Sequence, residues 1–231
     1  MNIAIGIGIA IIYTVLSLGY VSYVMIKNDG EKKENNKIKF GDLISYIKLN
    51  KWVLIGHIVL LVLVCALSVE LNLVFKQNLL IHNVKIIVLI LFLTSIAMID
   101  RKLQIIPNKL LLVAVGARLI IYLITWFTTR AGLIALFKDD LMGLLMIFIF
   151  AVAVLIFAKN SIGMGDIKLL MVMAMYQGYA GVFASIFLSL FLTSVVGICL
   201  IIARKKKRKD AVPFGPFLLA GTFISVVLFG M

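Results

Sequence analysis

The chain has 231 residues, 63% of them hydrophobic and 14% charged, a balance that excludes an ordinary soluble domain. The net charge of +13 calls for no nucleic-acid partner, because basic loops on the cytoplasmic side give a membrane protein the same excess. An all-α fold is expected: a polytopic membrane protein embedded in the lipid bilayer, with about eight transmembrane helices of the ~20 residues that a crossing needs.

A first span covers about residues 3–26. It is too long, and lacks the basic start and small-residue cleavage site, for a cleaved signal peptide, so it reads as retained. The polar segment 27–51 follows, with Lys27, Lys32, Lys33, Lys37, Lys39, Lys48 and Lys51. Its first half reads as flexible. Its second half, 40–49, carries Leu43, Ile44, Tyr46 and Ile47, a pattern that suits a short amphipathic helix on the membrane surface. Span two, 52–75, contains His57, read as a hydrogen-bonded packing residue, and Glu70, whose carboxylate is costly in lipid unless it sits near the outer interface. A tight connection at 76–78 leads to span three, 79–99, which ends at Asp100. Residues 1–78 thus form an N-terminal two-helix region with a cytoplasmic basic loop at 27–51, and residues 79–231 a six-helix membrane core.

The segment from Asp100 to Lys109 is short, basic and marked by Pro107, which suits the first turn of a new helix. Span four, 109–127, holds Arg118 in its middle, where it needs a partner or a water-filled cavity. A structural ion pair and a substrate role are both open to it. Residues 128–140 read as an outer loop and 141–158 as span five. Then comes Gly163-Met164-Gly165-Asp166-Ile167-Lys168. The glycines permit unusual backbone conformations and close approach, and Asp166 is either a helix cap or a functional carboxylate. Span six, 167–176, is broken at 177–181, and span seven covers 182–203. The basic run 204–209 reads as a topology anchor, and Val212-Pro213-Phe214-Gly215-Pro216-Phe217 introduces span eight, which ends at Gly230. Cys65 and Cys199 lie far apart in apolar runs and read as packing residues. With no CxxC pair, no metal site is expected.

Alternating spans place 18 of the 23 Lys and Arg on one side, all but Lys76, Lys85, Arg118, Arg130 and Lys138. The positive-inside rule makes that side cytoplasmic, and Asp100 and Asp166 then fall at the same depth. Two close carboxylates do not both ionise easily. One can act as general base on a shared water while the other, protonated, polarises a carbonyl. Such a pair titrates as a unit and needs no cofactor, metal or nucleophilic side chain. No Ser/His or Cys/His set is evident.

Asp100 with Ile106-Pro107-Asn108, then Gly163-Met164-Gly165-Asp166-Ile167-Lys168, then Pro213-Phe214-Gly215-Pro216-Phe217, resembles the type IV prepilin peptidases, membrane aspartic proteases of the glycine-x-glycine-aspartate type. The resemblance runs from about Leu93 to Gly230. Presenilin-like enzymes share the four-residue motif, but they carry a Tyr-Asp pair and a Pro-Ala-Leu motif. Here Ile99 precedes Asp100, and no Pro-Ala-Leu occurs. The resemblance implies Asp100 and Asp166 as catalytic residues, with Gly163, Gly165, Lys168, Pro107, Asn108, Pro213 and Gly215 binding substrate or shaping the site. It implies removal of the leader from prepilins or pseudopilins at the cytoplasmic face of the inner membrane. Many members also methylate the new N-terminus with S-adenosylmethionine, often with a cytoplasmic insertion bearing two CxxC pairs. The 27–51 loop has no cysteine, so peptidase activity without methylation is expected, and S-adenosylmethionine is a co-substrate only if methylation is retained. The alternatives are an archaeal-type preflagellin peptidase, a membrane transporter using the two acids as a relay, and a noncatalytic pilus-assembly subunit.

Overall fold

The computed structural model describes residues 2–29, 40–73, 80–128, 130–157, 163–204 and 212–230. The expected flexible stretch 30–39, the connection 76–78, the residues just before Gly163 and the basic run beyond Arg204 lie outside the described residues. The described chain is all-α: α1 (Asn2–Asp29), α2 (Phe40–Leu49), α3 (Lys51–Leu73), α4 (Leu80–Leu103), α5 (Asn108–Thr128), α6 (Arg130–Phe157), α7 (Met164–Ile202) and α8 (Gly215–Phe229). Six of these are long and apolar enough to cross a membrane, and α8 is a shorter apolar helix.

The 39-residue α7 accounts for two crossings. At about 1.5 Å per residue it would be about 58 Å long if straight, roughly twice the hydrocarbon core. It is broken at Gly178, whose backbone sits at φ 70 and ψ −167, a conformation open to glycine alone. The chain folds back there: Gln177 Nε2 donates to Ser185 Oγ at 2.8 Å, a contact that no straight helix permits over eight residues. The break falls inside the expected 177–181 interruption, and the two arms are the expected spans six and seven.

One expectation is corrected. Residues 130–140 are not an outer loop but the first turns of α6. Lys138, Asp139 and Asp140 look like loop residues in sequence. In the fold Asp140 is 1% exposed and accepts hydrogen bonds from Arg118 Nη2 and Tyr122 Oη. Arg118 therefore has its ion-pair partner, and its guanidinium also lies over the Tyr122 ring, 4.3 Å from the centroid. Removing one member of such a buried pair costs about 3–5 kcal/mol.

In lipid there is little hydrophobic drive between helices, so close packing at small residues and polar ties hold them together. Gly221 of α8 has no room for a side chain against Ser185 and Ser189 of α7. Gly6 of α1 lies against Ser68 of α3 and Ile87 of α4. Tyr13 of α1 bonds Ser95 of α4 at 2.9 Å and meets Phe92 edge to face. α4 is the most enclosed helix, with an unbroken buried run from Leu89 to Ala97, so it forms the centre of the bundle.

The amphipathic α2 forms where expected and is tied to the end of α4 by Lys102 Nζ, which donates to Tyr46 Oη at 2.9 Å. His57 is a buried packing residue, its Nδ1 bonded to the Val53 carbonyl at 2.8 Å. Cys65 is half-buried, but Cys199 is exposed and does not pack in the interior as expected. Glu70 is half-buried in α3.

Candidate active site

Asp100 belongs to the last turn of α4 and is 5% exposed. Its position is set by another helix. Gly215 N–H donates to its Oδ2 at 2.7 Å. Phe214 is the N-cap of α8 and has no side-chain cap of its own, so Asp100 satisfies an amide that the start of α8 leaves without a helical partner. The positive end of the α8 dipole faces the same carboxylate. Gly215 makes this possible, because a Cβ there would meet Asp100 Oδ2 at 3.0 Å, Asp100 Cβ at 3.1 Å and Ala97 Cα at 3.3 Å. Pro216 then occupies an early helical position where its missing N–H costs nothing.

Asp166 stands three residues into α7. The N-cap is Gly163, at φ −67 and ψ 141, so Asp166 is not itself the cap. Gly163 has an ordinary φ, which corrects the reason for its presence: it leaves room for Asp166 Oδ2, 3.0 Å from where a Cβ would stand. Gly165 serves the same end toward α5, since a Cβ there would meet Ile106 Cβ at 3.2 Å.

The short link from α4 to α5 completes the frame. Gln104 closes α4 in a left-handed conformation, φ 54, with its N–H on the Asp100 carbonyl at 2.9 Å. Pro107 starts α5, its carbonyl accepting from Leu110 N at 3.0 Å. Lys168 Nζ donates to Asn108 Oδ1 at 3.2 Å, which ties the first turn of α7 to the start of α5. The structure thus brings Asp100, Pro107, Asn108, Gly163, Gly165, Asp166, Lys168 and Gly215 to one end of the bundle, with Pro213 in the strand of chain leading into α8. The start of α8 lies by both carboxylates: Gly215 bonds Asp100, and Phe214 lines one cavity with Asp166.

Beside Asp166 opens a cavity of about 220 Å³. Its walls are Leu170, Ile186 and Leu190 of α7, Phe150 of α6, and Val212 and Phe214 before α8. None of these six was singled out as a site residue from sequence. The signal that exposes them is register: Leu170 and Ile186 are each eight residues from Gly178, and Asp166 and Leu190 each twelve. Folding α7 back on Gly178 sets these pairs opposite each other.

A pair of aspartates held in a polytopic α-helical membrane protein, beside an apolar cavity, defines the class. Residues 87–202 match the type IV leader peptidase family, and the chain belongs to it. It is 27% identical over 143 residues to the prepilin leader peptidase/N-methyltransferase of Bacillus subtilis (strain 168), covering 60% of this chain and 53% of that protein. Proteins of the same name from Pseudomonas putida and Stutzerimonas stutzeri are 26% and 27% identical, over 58% of this chain and 46% of theirs. The chain spans about half the length of the curated relatives it matches. No solved structure matches it.

Proposed function

We propose that the chain is a membrane aspartic endopeptidase that removes the leader from type IV prepilins or pseudopilins. The observation that carries this reading is the convergence of Asp100 and Asp166 at one end of the bundle, Asp100 held by the Gly215 N–H and Asp166 seated against Gly163. One carboxylate takes a proton from a water whose oxygen adds to the scissile carbonyl carbon. The other, as the acid, donates to the carbonyl oxygen. The tetrahedral intermediate collapses by breaking the C–N bond: the leaving amine takes a proton from the first carboxyl, and the second carboxylate recovers its proton from a hydroxyl of the intermediate. Gly163, Gly165, Pro107, Asn108, Lys168, Pro213 and Gly215 shape the approach.

The distribution of Lys and Arg supports an active site at the cytoplasmic face of the inner membrane. Methylation is left out of the proposal, because residues 27–51 carry no cysteine where methylating relatives often carry two CxxC pairs. The test is incubation of the detergent-purified protein with candidate prepilins, followed by mass spectrometry. Products shortened by the leader, without an added methyl group when S-adenosylmethionine is present, are expected. Intact prepilins throughout would overturn the peptidase reading, and a methylated product would overturn the exclusion of methylation.

A further inference from the structure

Remote from Asp100 and Asp166, α6 carries two consecutive carboxylates that reach different neighbours. Asp139 Oδ1 accepts the N–H of Tyr179 at 3.2 Å, the first residue beyond the Gly178 break. A Cβ on Gly178 would fall on the Asp139 carboxylate, and Gly143, one turn further along α6, has the Gly178 backbone against it. Asp140 takes Arg118 and Tyr122 of α5 and lies 4.0 Å from Lys85 Nζ of α4. Tyr176 of α7 closes the ring by donating to the Ala114 carbonyl of α5 at 2.6 Å. Four helices are therefore tied at one level. Two of them deliver the aspartates: Lys85 is about 22 Å from Asp100 along α4, and Gly178 about 18 Å from Asp166 along α7.

We propose that the Asp139–Asp140 couple is a remote positioning hub that sets the register of α4 against the first arm of α7, and through it the spacing of Asp100 and Asp166. The inference rests on the peptidase reading above. A helix is stiff along its axis, so an anchor at one end fixes rotation and slide at the other. A displacement of about 1 Å at a reacting group can cost about 10²-fold in rate. Stability alone does not call for the buried Arg118–Asp140 charges, since an apolar pair often replaces a buried ion pair without loss.

The test uses the full-length protein in detergent, with a prepilin that the wild type cleaves. Asp139→Ala is expected to lower kcat about tenfold or more, with KM changed less than about twofold. Asp139→Asn should restore kcat, because its amide oxygen still accepts the Tyr179 N–H. The variant Arg118→Met/Asp140→Leu, made together with Lys85→Met so that no buried charge is left alone, should keep its thermal unfolding temperature yet lose kcat to a similar degree. A second measurement needs no activity. In a Cys65→Ser/Cys199→Ser background, spin labels attached after Arg101→Cys and Met164→Cys should give one narrow distance. Asp139→Ala and the apolar triple variant should broaden it, and Asp139→Asn should not. A narrow, unchanged distance in both disruptive variants overturns the hub, as does a kcat loss that merely tracks a loss of folded protein. If the wild type cleaves no prepilin, the peptidase reading falls, and the label distances alone decide the hub.

Discussion

At the scale of single residues, a glycine and an aspartate are fitted to each other twice. Asp100 closes the start of α8 through the Gly215 amide, and the Asp166 carboxylate lies where a Gly163 side chain would stand. Asp100→Asn keeps an oxygen for the Gly215 amide and Asp166→Asn keeps the shape of its side chain, so both variants should fold and insert. Each should lose at least about 10²-fold in cleavage rate, and near-normal turnover by either would end the dyad assignment. Gly215→Ala adds a methyl group 3.0 Å from the Asp100 carboxylate. It should lower kcat at least about tenfold while the protein remains folded, which is read by comparing cleavage kinetics with thermal unfolding. Gly165→Val should push Ile106 and the link to α5 away from Asp166, and full cleavage by that variant would reduce the turn to a linker.

At the scale of elements, α7 carries the most consequence. Gly178→Ala places a side chain at φ 70 and into the Asp139 carboxylate, so it should destabilise the fold by more than about 1 kcal/mol. A fall in unfolding temperature in detergent would register it. The break itself was legible, because Gln177-Gly178-Tyr179-Ala180-Gly181 interrupts an apolar run with residues poor at continuing one. The start of α6 was not legible. Charges at Arg130, Lys138, Asp139 and Asp140 look solvated when read locally. Yet Asp140 meets Arg118, Tyr122 and Lys85, and Asp139 meets Tyr179, and no local pattern announces contacts across that separation. The α2 helix, by contrast, was legible from its apolar spacing alone.

At the scale of the whole molecule, composition and hydropathy were enough for an all-α membrane bundle, since every crossing must satisfy its own backbone. Charge asymmetry added that Asp100 and Asp166 share one end. The trans-capping of α8 by Asp100 and the cavity beside Asp166 were beyond that reading, because they depend on which helices neighbour each other. The cavity gives its own prediction. Leu190→Trp should fill much of the space facing Asp166 and raise KM for a prepilin several-fold or more, with folding unchanged. An unaltered KM would show that substrate does not enter there.

The fold-back at Gly178 makes the two arms of α7 answer to one count. An insertion of a single residue anywhere between Asp166 and the break turns the carboxylate about 100° around the helix and moves it about 1.5 Å along the axis, while Leu190 stays where it was. A matching insertion in the second arm restores the opposed pairing across the groove but still leaves Asp166 swung away from the N-terminus of α8. Length in this hairpin is therefore a quantity as constrained as residue identity, and drift in sequence is open to it only by exchange of side chains.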